Sequence, residues 1–578
     1  MARKKAQPTQ SLDRVQGILT TLHTYIKGKT KYDERYIEND TWYRGQHWDL
    51  LRKKANDGEP EPTSAFLHNT LANRHGDLMD AYPEPVMTER EESDKQEAET
   101  LTKVVKVAFE RNGFRKTYSR NAWSKCKAGT ACYYIGWDQD LEGGLGDISI
   151  KPVDLLRLYW EPGIDNIQDS PYVFALSLSP VKQLQKKYPD LQGKDLSSTI
   201  KLARYASEDP PDLANKALVV DCYYKDEDGK VRLMTIIGDT IVQETEGPLY
   251  DHGKHPFVFD ILFPEEHSLL GFGLVDIIKS PQAYIDKMDQ ILTYNALVAG
   301  RYRILLKDGG SIDVEKLADV SQSIIPVQGG VQKGVDWEVL QADALPPTVL
   351  EHRSRKIQEL KEVSGANDVS RGASTNGVTA ASAIIALQEA GNKLARAMIA
   401  TTYDAYTDLC VMAIELIAQF YTEPRKFRIV GESKDDVEYI EYNNAGLQPQ
   451  PIAPAVEGMP PETRKPIIDV MPHAEKYTPF ASLAQNEMAK ELFAAGFFQP
   501  EMAPAALTAL DMMSFDGKDA LVTKVRQRYE EAMGLQQAQA EAQKNQEIMM
   551  QMDQLIQKLT GKSMLAGTNL GQPQEAPV

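Results

Sequence analysis

Between residues 280 and 421, apolar side chains recur every three to four positions in three successive stretches, and each predicts a helix. Ser280-Pro281 reads as the start of the first, an N-cap serine followed by a proline at the first helical position. Ile285, Met288, Leu292, Asn295, Ala296 and Ala299 follow at helical spacing before Gly300, a run of about 28 Å. The second helix is expected from Pro347, through Val349, Leu350, Ile357, Leu360 and Val363, to Gly365. Between the two lie strand-like runs at Arg303–Lys307, Ser323–Val327 and Trp337–Leu340, separated by glycine turns. So small a β-rich insertion buries little by itself. Gly365–Gly377 holds too few apolar residues to order itself. From Thr379 a third pattern runs without proline to Tyr421, about 65 Å if straight, with Gly391 placed for a bend. Helices of that length point to a packed array or an assembly.

Upstream, residues 1–10 read as disordered, and helices are expected over Leu12–Trp42, Phe66–Tyr82, a stretch around Leu101–Phe109, and Arg115–Ala128. Strand chemistry then takes over: Ala131–Trp137 and Asp147–Val153 flank a glycine-rich loop, and Tyr172–Ser179 precedes a short helix, Val181–Tyr188. Leu218–Tyr224 and Val231–Ile237 form a hairpin turned by Asp226–Gly229, and Pro256–Phe263 is a further strand. The first half is therefore α+β with an antiparallel sheet. After Tyr421, strands return at Lys426–Val430, Val437–Tyr442 and Pro466–Met471, interrupted by a proline-rich linker. Helices are expected at Ala481–Phe498, Ala503–Met513 and Lys518–Met533. A separate glutamine-rich helix, Gln536–Thr560, carries a short coiled-coil-like seam (Ile548, Met549, Met552, Leu555, Ile556, Leu559) ahead of a flexible tail.

Composition narrows the partners. The 578 residues carry a net charge of −18, with 26% charged and 42% hydrophobic, as in a soluble chain of several domains. Such acidity opposes tight nucleic-acid binding, because phosphates are repelled. It does not oppose a conduit, whose wall must let DNA slide. Cys126, Cys132, Cys222 and Cys410 have no paired spacing and read as reduced, partly buried thiols. The basic amino terminus lacks an apolar core region, and no stretch is long and apolar enough to span a membrane, so synthesis and use in the cytoplasm are expected.

No catalytic, cofactor-binding or metal-binding residues are assigned. Gly28-Lys29-Thr30 and Gly561-Lys562-Ser563 lack the upstream glycine of a phosphate loop, having His23 and Ile556 in its place. His252-Gly-Lys-His255 reads as a turn before Pro256 rather than a metal pair, and Asp226–Gly229 lacks the later ligands of a calcium loop. Asp435-Asp436 has no basic or imidazole partner close in sequence.

The order helix, small insertion, helix, flexible loop and long helix resembles the stem, clip, stem, tunnel loop and spanning helix of tailed-phage portal proteins. The wording is similar at Ser280–Gln290, Asn295–Gly300, Val363–Gly372 and Gly377–Ala381, and Trp42-Tyr-Arg-Gly-Gln-His-Trp48 resembles an aromatic-Gly-Gln-Trp motif near the start of many such chains. The resemblance covers roughly residues 33–421 and implies an α+β multidomain portal-like fold: an antiparallel β wing, helical stem, β-rich clip, long spanning helix and helical crown, assembled as a ring. It places the wing at 1–270, the stem helices at 271–300 and 346–364, the clip at 301–345 and the tunnel loop at 365–378. The spanning helix follows at 379–421, the wing return at 422–475, the crown at 476–534 and a C-terminal helix with its tail at 535–578. The function implied is a channel at one capsid vertex for DNA packaging and ejection, usually dodecameric. Its expected partners are double-stranded DNA, the terminase motor, capsid protein and head-completion or tail adaptor proteins, with no membrane and no cofactor. Its expected place is the virion, after assembly in the host cytoplasm. A non-enzymatic helical scaffold or adaptor is the alternative.

Site residues are then contacts. The tunnel-loop candidates are Asn367, Asp368, Ser370, Arg371, Ser374 and Asn376, a set with one cation and one anion. In the stem, Arg353, Arg355, Lys356 and Lys361 leave the apolar stripe of the second helix. They are open to two readings: intersubunit ion pairs with Asp286, Asp289 or Glu359, or transient phosphate contact along a channel. Clip docking falls to the block 301–345, with Arg301, Arg303, Lys307, Lys333 and Trp337 as candidates.

Overall fold

Helix α1 spans Pro8–Tyr43 in the computed structural model, so helix begins inside the stretch expected to be disordered. Proline suits a first position, where its missing N–H has no intrahelical partner to lose. The structure describes residues 8–52, 59–196, 200, 202–205, 215–299, 303–306, 332–340, 345–365, 393–430, 437–451, 463–474, 490, 492–494, 496, 502–511 and 518–560. Val15, Ile18, Leu22 and Tyr25 put three- and four-residue spacing to work and bury one face of α1. Helices α2 (Phe66–Asp80), α3 (Lys95–Arg111) and α4 (Phe114–Ala128) follow, with the last closed by Gly129 at φ +81.

Two antiparallel sheets come next. Strands β1 (Thr130–Asp138) and β2 (Asp147–Val153) form a hairpin, and β3 (Leu158–Trp160), β4 (Tyr172–Pro180), β5 (Lys216–Lys225), β6 (Val231–Ile237) and β7 (Thr240–Glu244) form a five-stranded meander. Strand β8 (Phe257–Ile261) adds to the other edge of β1, with Phe259 opposite Cys132. The pattern did not predict β3 and β7. A three-residue strand shows no alternation, and β7 is a half-exposed edge. Asp226 turns the β5–β6 hairpin as expected, its carboxylate accepting the N–H groups of Asp228 (3.1 Å) and Lys230 (2.8 Å). One face of the meander takes α1, with Leu22 and Tyr25 among Phe174, Leu176, Val220 and Ile236.

Helices α5 (Leu274–Ala299) and α6 (Pro347–Val363) come after the sheets, joined through a strand pair, β9 (Arg303–Leu306) with β10 (Trp337–Leu340). Ser323–Val327 lies outside the described residues, as does the third helix before Lys393. Its described part, α7 (Lys393–Phe420), is about 42 Å long and crosses the main core, where Tyr406, Leu409, Met412 and Leu416 meet Val104, Phe109, Phe114, Tyr133 and Ile150. The chain then returns as a hairpin of β11 (Arg425–Val430) and β12 (Val437–Tyr442), and Ile468–Val470 pairs back with Met87–Glu89.

The chain divides into two compact units, Met1–Glu475 and Lys476–Val578. In the second, α8 (Ala503–Asp511) packs on α9 (Lys518–Thr560) through Ala503, Leu510 and Val525. The expected break between Met533 and Gln536 is absent, since α9 continues through Gly534. A single glycine costs a helix only about 1 kcal/mol, and its neighbours here are good helix formers.

His255 gives the first unit an acid limit. Buried, it points Nε2 at the Ser170 carbonyl (2.9 Å) and leaves Nδ1 with no partner. Desolvation outweighs the Ser170 contact and pushes its pKa down to about 4. Below its ordinary value the unfolded chain takes up the proton first, so stability falls as pH drops from about 6.5 to 4, by at most about 3 kcal/mol from this group. We expect the melting temperature to fall between pH 7 and pH 4.5, and His255→Gln to shrink that difference. An equal difference in the variant would assign the acid limit elsewhere.

Candidate functional site

The first of the two paired helices begins earlier than its Ser280-Pro281 signature suggests. Helix α5 starts at Leu274, where the Asp276 carboxylate accepts the Gly273 N–H (2.9 Å), and Pro281 lies inside the helix. Leu274, Val275, Ile278 and Ile285 are buried. These contacts carry the helix past a proline that removes a single hydrogen bond. Helix α6 lies antiparallel against α5, presenting Leu360 and Ile357 to the same core. Part of the pair's apolar surface is nevertheless left uncovered. Tyr284, Ile291, Tyr294 and Leu297 of α5 are 43–48% exposed, and Leu350 and Val363 of α6 are 55% and 45% exposed.

The stem cations divide. Arg353 grips Asp289 through both its Nε and Nη2, and Lys356 pairs with Glu359 at 2.6 Å while lying over the Tyr284 ring. Both pairs form within the one chain. Asp286 is no partner for them either. It is fully buried and accepts from His47 Nδ1 (2.6 Å), the Ser64 N–H (3.1 Å) and Gln282 Nε2 (2.9 Å). His47 also reaches the Trp42 carbonyl (3.0 Å), so the Trp42–Trp48 motif is docked on the stem by this one imidazole. Lys361 is half-buried in the last turn of α6. Arg355 is exposed and makes no ion pair among the described residues.

Two cations that the sequence pattern did not single out hold the chain on either side of residues 366–392. Arg74, 2% exposed on α2, pairs with Asp77 (2.8 Å) and donates Nη2 to the carbonyls of Ser364 (3.1 Å) and Gly365. It therefore satisfies the end of α6, where carbonyls lack helical partners and a positive charge is favoured. Gly365 turns there at φ +64, with Arg74 Nη2 only 2.9 Å from where a Cβ would stand. Lys125 on α4 is wholly buried. Its three N–H donors are shared among four acceptors within reach, Asp260 (2.5 Å), the Met398 carbonyl (3.0 Å), Thr401 Oγ1 (2.8 Å) and Thr402 Oγ1 (2.6 Å). Thr402 in turn donates to the other Asp260 oxygen (3.1 Å). The first turns of α7 are thus fixed to α4 and β8.

Asn367, Asp368, Ser370, Arg371, Ser374 and Asn376 lie outside the described residues, as do Arg301 and Lys307. Arg303 opens β9 opposite Leu340 of β10. Lys333 is exposed and bridges to Trp337, whose carbonyl accepts the Gly334 N–H (2.9 Å) to close a tight turn. All four cysteines are buried, and burial pushes the Cys126 and Cys222 thiols up to about 12.

A family model described as phage P22-like portal protein matches residues 29–566, nearly the whole chain. This chain belongs to the P22-like portal family. No curated protein matches it. Portal proteins are structural components of the phage capsid vertex, and the family is one of oligomeric rings through which DNA passes. The portal reading therefore stands over the adaptor alternative. Among the described residues no helix is long and apolar enough to cross a membrane, and no group of His, Cys, Asp or Glu is arranged to hold a metal ion.

Removing the Lys125 ammonium strands the buried Asp260 carboxylate. We expect Lys125→Met to cost this portal protein about 3–5 kcal/mol in denaturant unfolding. Adding Asp260→Leu should recover part of that loss, because the uncompensated charge is gone. A double variant as unstable as the single one would show that the missing bonds to α7, and not the stranded charge, carry the effect.

Proposed function

We propose that this portal protein closes into a ring through the exposed faces of α5 and α6, and that twelve copies form it as the family resemblance implies. The observation that carries this reading is the run of half-exposed apolar side chains along α5 and α6. Large apolar side chains left half-exposed along two paired helices mark a protein contact, and in a ring family the partner is the next copy. The wing then faces outward, β9 and β10 belong to the clip that docks the terminase motor and later the head-completion or tail proteins, and Gly365–Gly377 faces the DNA. The virion vertex is its final place, after assembly in the host cytoplasm.

Closure should need neither nucleotide nor metal. Light scattering and electron microscopy of the purified chain should show closed rings. Ile291→Glu with Tyr294→Glu should leave folded monomers, since two carboxylates cannot be buried unpaired in that face. A wild-type chain that stays a folded monomer at micromolar concentration overturns the ring, and rings formed by the double variant overturn the stem interface.

Support for the loop comes from its ends: two buried cations fix the chain before and after it, so each subunit presents it from the same place. Its single cation suits weak phosphate contact, which positions DNA without reading sequence. Arg371→Glu with Ser370→Asp should leave ring assembly intact and impair DNA packaging or retention. Normal capsid filling and retention by such rings would remove the loop from the mechanism.

A further inference from the structure

The chain is acidic, yet from Arg111 to Trp137 it contains no Asp or Glu and has six cations: Arg111, Arg115, Lys116, Arg120, Lys125 and Lys127. Three are occupied within the fold. Arg111 lies 3.4 Å from Glu142, Lys125 holds Asp260, and Lys127 holds Asp40 at 2.8 Å. Arg115, Lys116 and Arg120 are exposed on α4 and make no ion pair among the described residues. The Arg115 guanidinium lies over the Tyr82 ring, 5.5 Å from its centre. Lys116 and Arg120 are one turn apart and share a face.

Helix stability does not account for them. Arg115 and Lys116 occupy the first turn of α4, where the helix dipole disfavours positive charge. The carboxylates beside them are largely engaged elsewhere: Asp77 by Arg74 and Glu84 by Lys106 (2.8 Å), with Asp80 left exposed at the end of α2. The remaining acidity of the chain acts weakly at this distance, since salt screens exposed charges beyond about 10 Å at 0.1 M.

We propose that Arg115, Lys116 and Arg120 form a contact surface for the phosphodiester backbone of double-stranded DNA. The proposal rests on the portal reading, which supplies the DNA. A contact between copies of this chain fits the face less well. The centres of protein interfaces are apolar, whereas the exposed and half-exposed residues around this face are mainly polar, Ser119, Ser124 and, on α2, Asn69, Asn73 and His75, with the half-exposed rings of Tyr82 and Trp123 among them. Polar, positively charged surfaces are those that meet nucleic acid. Three cations per subunit, repeated around a ring, give a weak and salt-sensitive contact with a long duplex.

The test uses assembled rings, with a linear duplex and a covalently closed circular duplex as probes. The circle has no end and cannot enter the bore. Wild-type rings should bind DNA at low salt, with affinity falling steeply as salt rises. Rings of Arg115→Gln/Lys116→Gln/Arg120→Gln should bind at least about tenfold more weakly, with the log–log salt slope reduced by about 0.9 for each phosphate no longer neutralised. Arg115→Lys with Arg120→Lys should retain binding. Loss confined to the linear probe places the face in the bore, and loss with the circle places it outside. Triple-variant rings that bind both probes like wild type overturn the proposal, as do wild-type rings that bind neither. Failure of the triple variant to form rings also overturns it and assigns the face to subunit contact. Absence of rings in the wild type would instead sink the portal assembly itself.

Discussion

The chain on either side of residues 366–392 is held by a pair of buried cations, and much of the first unit is arranged around them. Arg74 caps the end of α6 and Lys125 ties the first turns of α7 to Asp260, so residues 366–392 leave and rejoin a fixed frame. The two cations sit on α2 and α4, which pack against each other, with Tyr118 of α4 donating to the Leu78 carbonyl (2.8 Å). Breaking either link exposes a costly group: unpaired helix-end carbonyls in one case, a stranded carboxylate in the other. The frame is therefore stiff where loads from the segment would arrive. The His47–Asp286 contact extends it to α5, so both helices of the α5–α6 pair are tied to the N-terminal helices through buried polar bonds.

The placement of charge follows the same division of labour. Cations near the core are used up within the subunit: Arg353 on Asp289, Lys125 on Asp260, Lys127 on Asp40. What remains exposed is an excess of carboxylates with scattered cations that make no ion pair among the described residues, Lys27, Lys31, Lys182, Lys287 and Arg355 among them, besides the three on α4. Phosphate contact of that kind is weak and local, and the surrounding negative charge opposes a tight grip. A wall that bound DNA at many strong points would stall it.

Much of this was legible in the sequence where periodicity is strong. The helix at Phe66–Asp80, the β1–β2 and β5–β6 hairpins and the stem pair show regular apolar spacing bounded by turn residues. The start of α5 was misplaced because Ser280-Pro281 is a good helix-start signal. The better one, Leu274, Val275 and Ile278 at helical spacing with Asp276 three residues after Gly273, stands one turn and more upstream. Arg74 and Lys125 were not legible as anchors, since their partners lie 290 and 273 residues away. A trace of them is visible all the same. Arg74 falls between Leu71 and Leu78 on the buried stripe of α2, and Lys125 beside Ala122 and Cys126 on that of α4, where a charge needs a partner to exist.

The uncovered apolar surfaces bear on how a ring of such subunits would hold together. Six stem residues are roughly half-exposed, and covering each contributes about 1 kcal/mol, half of what full burial of such a side chain supplies. Association costs some 4–15 kcal/mol before any surplus appears. The stem face alone therefore sits near break-even. Helix α9 carries a second set, with Leu535, Ile548, Met552, Leu555 and Leu559 between 54% and 80% exposed. A comparable gain there would move a pairwise contact from marginal to favourable. Because closing the ring adds one more contact with no further loss of translational and rotational freedom, the closed form is favoured over partial arcs. Assembly of this chain is thus expected to be all-or-none, with stem and α9 surfaces each needed and neither sufficient.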